Sequence, residues 1–266
     1  MVAPNGARKT HADHAALPVS IAETVSEAEA CFAAGATVLH AHVRGDNEEH
    51  VLDPGLYREL LGEMEARVPQ MLVQITSEAV GRYLPEEQVA CVQAVHPRLA
   101  SMALREVTVD FAQTGLARRF FEWCAEQEVH LQHIVYSAEE LDRFFAYRDQ
   151  GVIPSSQRCV LFVLGRYSAN SQSAPSDLDA FLQRDLDGLD WFTCAFGSQE
   201  QQCVLRGIEA GGHARIGFEN NLLMPDGSLA ANSAALIADL ARELRQRGGE
   251  VADAETARQL LGVRSA

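Results

Sequence analysis

The chain predicts a (β/α)8 TIM barrel, and three observations carry that expectation. Strand-like and helix-like segments alternate from end to end. The strand-like runs are almost continuously apolar, as suits a parallel sheet covered on both faces. Eight such pairs occur in 266 residues, close to the ~250 residues of one barrel. A doubly wound open sheet is the competing arrangement, weakened by the lack of a Gly-x-Gly-x-x-Gly turn after the first strand. No linker-like stretch divides the chain, so residues 1–266 are expected to form a single catalytic domain.

A short first strand is expected at Met1–Pro4. A helix over Ser20–Ala34 ends at Gly35, which suits the left-handed residue after a helix. The second strand, Ala36–Val43, contains Thr-Val-Leu-His-Ala-His-Val-Arg. Asp53-Pro54 opens a helix to Arg67, with Asp as cap and Pro in the first turn. The third strand is Met71–Thr76, followed by a helix from Leu84 to Val95. The fourth strand is Leu99–Leu104, with a helix over Gln113–Gln127. The fifth is Val129–Tyr136, with a helix over Ala138–Gln150. The sixth is Cys159–Gly165, with a helix over Pro175–Asp185. The seventh is Asp190–Phe196, with a helix over Ser198–Ala210. The eighth is Ala214–Asn220, followed by helices over Ser228–Arg247 and Asp253–Leu261.

The formal net charge of −15 argues against nucleic acid and anionic membranes as partners. No run approaches the ~18 apolar residues of a membrane span. The start lacks an apolar signal core, and the six cysteines are scattered without a Cys-x-x-Cys pair. Small buried thiols in a reducing, cytoplasmic setting are therefore expected.

Barrel chemistry gathers at the C-terminal ends of the strands. His40 and His42 stand two apart on one strand and face the same way, which is half of a metal site. The polar residues at the other strand ends are Asn5 and Arg8, Gln74, Thr76 and Glu78, Arg105 and Glu106, Gln132 and His133, Arg166, then Arg215, Glu219 and Asn220. In a closed barrel only the first strand separates the eighth from the second. Glu219 is thus expected beside the histidines, and two His with a carboxylate leave a coordination position open on a divalent metal.

The motifs His-Ala-His-Val-Arg, Gln-Ile-Thr-Ser-Glu-Ala-Val-Gly-Arg-Tyr-Leu-Pro-Glu-Glu and Gly-Gly-His-Ala-Arg-Ile-Gly-Phe-Glu-Asn-Asn-Leu-Leu, in that order, resemble the β-keto acid cleavage enzymes. The start Ala-Pro-Asn-Gly-Ala-Arg-Lys-Thr and the closing Val-Ala-Asp-Ala-Glu-Thr-Ala-Arg-Gln-Leu-Leu-Gly resemble that family too. The resemblance implies a zinc-bearing TIM barrel that converts a β-keto acid and acetyl-CoA into acetoacetate and a new acyl-CoA. It implies His40, His42 and Glu219 as zinc ligands, Arg215 as the active-site arginine and Thr76 as a hydroxyl near the substrate. It also implies a homo-oligomer, a tetramer by family expectation.

Departures from the family pattern shape the remaining expectations. Asn220 stands where the family has its proposed basic Asp, and an amide does not accept a proton at neutral pH. Glu78 replaces one of the usual glycines after the third strand and is the first candidate for a relocated base. Glu106 is the second and His133 the third. Ala103 replaces a threonine, and Gln132 an acidic residue. Arg8 stands in place of an acidic residue associated with amine-bearing substrates, so a neutral or anionic far end such as a β-keto dicarboxylate is expected. Asn5, Arg8, Arg105 and Glu106 are the candidate substrate contacts, with Arg166 and Arg82 for CoA. Plainer roles stay open beside these: Arg44 and Arg215 as interior ion-pair partners, Glu78, Glu106 and Arg8 as loop charges, and His133, Trp123 and Trp191 as core. A zinc aldolase or hydrolase without CoA, or a non-catalytic metabolite-binding protein, is the alternative function.

Overall fold

The computed structural model describes residues 1–108, 114–168 and 170–263. Among these, seven parallel strands form one sheet in sequential order. β1 is Val38–Ala41, β2 Leu72–Thr76, β3 Leu99–Ala103, β4 His130–Val135, β5 Cys159–Leu164, β6 Asp190–Ala195 and β7 His213–Ala214. The helices are α1 (Ile21–Ala34), α2 (Pro54–Arg67), α3 (Pro85–Val95), α4 (Leu104–Val107), α5 (Gly115–Glu126), α6 (Ala138–Asp149), α7 (Asp179–Leu182), α8 (Glu200–Glu209), α9 (Ser233–Gln246) and α10 (Ala254–Leu260). Of the expected helix over 113–127, Gln113 lies outside the described residues.

Two expected strands are much shorter than their apolar patterns. Met1–Pro4 reduces to bridges from Val2 to Leu39 on one side and Ile216 on the other. Val2 donates to the Val38 carbonyl and accepts from His40, while Ala3 donates to Ile216. The expected eighth strand breaks after Ile216, because Gly217 adopts φ 142° and a Cβ there would stand 2.4 Å from the Ala3 carbonyl oxygen. Residues 217–220 therefore turn, and Glu219 and Asn220 sit beyond the strand. The helix expected over 175–185 is a 3₁₀ turn, Pro175–Leu178, followed by α7.

Helix starts follow their capping residues. Ser20 accepts from the Glu23 amide at 3.2 Å and Glu23 returns to the Ser20 amide at 2.9 Å, a capping box worth about 1 kcal/mol. Asp53, Ser137, Asn232 and Asp253 cap α2, α6, α9 and α10 by accepting from first-turn amides, without the reciprocal bond.

Alternation along the strands sorts the side chains into two layers. One layer, including Leu39, Ala41, Ile75, Ala100 and Val135, packs with the helices in the larger core. The other, with Val38, Leu72, Leu99, Ala103, Ile134, Leu161, Val163, Phe192 and Cys194, forms a second core together with Ala257 of α10 and the adjacent Leu261. His40, Gln74, Thr76, Ser101, Gln132 and Arg215 share the parity of this second layer, so the sheet carries buried polar groups on that face. All six cysteines are buried and free. No helix among the described residues is long and apolar enough to cross a membrane.

Candidate active site

His40, on β1, and His42, just beyond it, project together as their spacing requires, and each is at most 2% exposed. Their Nε2 atoms are 3.2 Å apart. Glu219 brings Oε2 to 3.6 Å from the first and 3.7 Å from the second. This approach depends on Gly6, whose φ is +60° and where a Cβ would stand 2.4 Å from Glu219 Cγ. Lys9 adds a bond from Nζ to the Glu219 carbonyl at 2.7 Å.

The chemistry of this cluster fits a divalent cation. His40 Nδ1 lies 2.8 Å from Gln74 Oε1. An amide oxygen accepts only, so the His40 proton sits on Nδ1 and Nε2 offers a lone pair. Gln74 is oriented in turn by donating to Gln132 Oε1 at 3.3 Å, and Gln132 donates to Cys159 Sγ at 3.4 Å. Glu219 Oε2 is buried and lacks a hydrogen-bond donor. Burial, joined by the nearby Arg215 charge, pushes His40 down to about 4 and keeps it neutral. Burial opposes ionisation of Glu219, but the Arg215 charge outweighs it and holds this carboxyl well below the usual range. Converging acceptors without donors are costly to bury. Two imidazole nitrogens and one carboxylate oxygen form a ligand set that Zn²⁺ accepts.

Next to the cluster lies a cleft lined by His40, Thr76, Glu78, Ser101, Arg166, Arg215 and Glu219, with Ala103, Ile134, Tyr136, Val163 and Phe196 as its apolar and aromatic wall. Arg215 donates from Nη2 to Glu219 Oε1 at 3.0 Å and to Cys194 Sγ at 3.4 Å. Its Nε and Nη1, and the Ser101 hydroxyl, are buried without partners. These are unused donors suited to an oxyanion or carboxylate. Thr76 Oγ1 accepts from the Glu78 amide at 3.1 Å, which leaves its own proton free to donate. The Glu78 carboxylate faces Arg166 at 3.7 Å across the cleft and His42 Nδ1 at 4.0 Å. Burial and the neighbouring Glu219 raise its pKa to about 7. The free space is about 20 Å³, room for one water.

Other residues anticipated from sequence stand outside this lining. Asn5 pairs with the His42 backbone, its Nδ2 donating to the carbonyl at 2.9 Å and its Oδ1 accepting the amide at 3.2 Å. Arg44 clamps the same segment through the Asn5, Gly6 and Lys9 carbonyls. Glu106 accepts from the Ala79 amide at 3.1 Å and Gln88 Nε2 at 2.6 Å, pinning the loop after β2. Arg105 pairs with Glu140 and lies 4.6 Å from the ring centres of both Tyr136 and Tyr167. Arg8 is exposed yet near enough to favour the ionised form of Glu78. His133 is core, bonded to Gln157 at 3.1 Å and packed between Phe121 and Phe144. Trp191 stacks on Phe162, and Trp123 on Phe120. Asn220 donates to Glu200 Oε1 at 3.0 Å, and Glu200 also accepts the Gly217 amide at 3.1 Å.

Sequence reasoning passed over Ser101, Tyr136, His50 and Glu200. Ser101 was detectable as a hydroxyl two residues before Ala103 on the same face of an apolar strand. Glu200 begins an outwardly ordinary polar helix and gives no such sign.

Fold and site together describe an α/β protein with a polar, cation-ready cluster at the C-terminal edge of a parallel sheet. The chain belongs to the beta-keto acid cleavage enzyme family, whose model matches residues 1–263. It is 27% identical over 272 residues to a 3-keto-5-aminohexanoate cleavage enzyme of Fusobacterium nucleatum, covering 97% of this chain and 95% of the relative. It is also 27% identical over 272 residues to a 3-oxoadipate:acetyl-CoA acetyltransferase of Cupriavidus necator, covering 99% and 94%. Among solved structures, apo ObcA superposes with a TM-score of 0.70 at 16% identity, over 92% of this chain but 65% of ObcA. A type I 3-dehydroquinate dehydratase from Clostridium difficile gives 0.60 at 10% identity, over 91% of each chain.

Proposed function

We propose that this chain is a zinc-dependent acyltransferase that cleaves a β-keto acid with acetyl-CoA, giving acetoacetate and a new acyl-CoA. The observation that carries the reading is the convergence of His40, His42 and Glu219 at the edge of a donor-lined cleft, in a member of this family. The name of the Cupriavidus necator relative supports acetyl-CoA as co-substrate. The architecture in this reading is a complete (β/α)8 barrel and one domain, with residues 1–4 as a minimal eighth stave.

His40, His42 and Glu219 would hold the ion, which when bound supplies Lewis acidity to the keto oxygen. The free Nε and Nη1 of Arg215 orient the substrate carboxylate and offset charge that develops as its α-carbon loses a proton. The Ser101 and Thr76 hydroxyls donate to the same oxygens. Glu78, beside Thr76 in the cleft, takes that proton in place of the missing aspartate. The carbanion then forms a bond to the acetyl carbon. The CoA thiolate leaves, attacks the original keto carbon, and the bond between that carbon and the α-carbon breaks; acetoacetate takes up the proton. Arg166 at the cleft, with Arg8 nearby, favours a second carboxylate on the substrate, so a β-keto dicarboxylate is the preferred substrate class.

Zinc-loaded protein incubated with acetyl-CoA and a panel of β-keto acids should release acetoacetate, fastest with dicarboxylates. Product formation independent of acetyl-CoA would favour an aldolase or hydrolase instead. Absence of turnover across the panel would favour a binding protein. Glu78→Gln should lose turnover and keep zinc, whereas full activity removes Glu78 from the mechanism.

A further inference from the structure

Resting on the zinc reading above, we propose that His50 is a positioning residue that fixes the tautomer of His42 and ties the loop carrying Glu78 to the metal site. His50 is 3% exposed, in the segment that returns after β1 to bridge Arg44. Its Nε2 lies 3.0 Å from the Glu78 main-chain carbonyl. Its Nδ1 lies 3.3 Å from His42 Nδ1, with the two rings edge to face at 4.9 Å and 65°.

The protons follow from what each atom is able to do. A carbonyl oxygen only accepts, so His50 Nε2 carries a hydrogen. A neutral His50 then has a bare Nδ1, and the hydrogen between the two rings belongs to His42 Nδ1. His42 Nε2 is thereby left with its lone pair, aimed at the space shared with His40 Nε2 and Glu219 Oε2. Without His50, the competing His42 tautomer places a hydrogen on Nε2 facing Glu219, and that form has no lone pair for a cation. Gln74 performs the equivalent service for His40, so each ligand ring is held by its own outer partner.

The chain of bonds ends on the loop after β2. The acceptor of His50 is the carbonyl of Glu78, whose carboxylate lines the cleft. A cation drawing on His42 Nε2 makes its Nδ1–H a stronger donor, and linked hydrogen bonds strengthen together. Metal loading is thus coupled to the order of residues 77–80, a loop that also holds Val80 at φ +48°.

The test measures zinc affinity of the full chain by competition with a fluorescent chelator, and amide exchange of residues 77–80 with and without zinc. His50→Phe fills the space but makes neither bond; it should weaken zinc about 10–100-fold and abolish zinc-induced protection of the loop. His50→Gln, whose amide both accepts from His42 and donates to Glu78, should recover most of both. Zinc affinity and loop protection in His50→Phe within twofold of the unmodified protein would overturn the proposal while leaving the zinc reading intact. An unmodified protein that takes up no zinc overturns the zinc reading and this one with it. If His50→Phe does not fold, nitrogen-15 spectra of the unmodified zinc-loaded protein decide: a protonated Nδ1 and metal-bound Nε2 on His42 support the role, and a metal-bound Nδ1 overturns it.

Discussion

Arg215 shows how one side chain can serve two purposes at once. Its Nη2 holds Glu219 and Cys194, while Nε and Nη1 remain unspent beside the cleft. A lysine would keep the charge and lose the planar fork. Arg215→Lys should retain zinc and lower kcat/KM by about 1.5–3 kcal/mol, or roughly 10–150-fold. Steady-state kinetics beside metal analysis check both halves, and undiminished kcat/KM would remove Arg215 from substrate contact. The metal ligands were legible because a two-residue spacing on a strand leaves one geometry for His40 and His42. Asn5, Arg105 and Glu106 were legible as polar strand ends but not as structural ties. The direction of a side chain leaving a strand end depends on loops whose course the local pattern does not encode.

At the scale of elements, the turn after β7 and the start of α8 form one polar unit. Glu200, on the first turn of α8, accepts from both Gly217 and Asn220. Burial, opposed by these bonds, raises its pKa to about 8. An aspartate at 220 would set a second carboxyl against this buried acid, so the amide at 220 is the local solution to Glu200. Asn220→Asp should therefore lower the melting temperature without raising activity. Glu200→Gln should restore part of the loss, since its amide can donate to the carboxylate placed at 220. Additive melting shifts in the double variant would show that the two residues are independent. The middle strands were readable because each is a long apolar run. The flanking ones were overread: residues 1–4 and 214–220 carry strand-like composition, but Gly217 ends the ladder and Val2 alone bridges the two neighbours. α4 was missed because four residues show no helical period.

Over the whole molecule, buried histidines set an acid limit. Burial drives His133 from its ordinary 6.5 down to about 4, and His130 likewise. The folded state keeps these rings neutral until about pH 4, whereas the unfolded chain takes up protons near 6.5. Their contribution is complete above pH 6.5 and is lost as the pH falls towards 4, by about 3 kcal/mol for the fully buried His133. Urea titrations at pH 7 and pH 4.5 should show this fall, and His133→Gln should flatten it. An equal slope in that variant would assign the acid sensitivity to other groups.

The six buried thiols give the molecule a set of internal clocks. Burial pushes Cys159 up to about 12 and Cys194 up to about 11, so neither reacts while its surroundings stay closed. Alkylation then advances only as fast as each neighbourhood opens, and the order in which the thiols gain mass maps local stability from within. Cys159 is the most telling of them, because it ends the amide chain from Gln132 and Gln74 to His40. Capping it would break the orientation of a candidate metal ligand from the far side of the sheet's inner face, without a reagent entering the cleft.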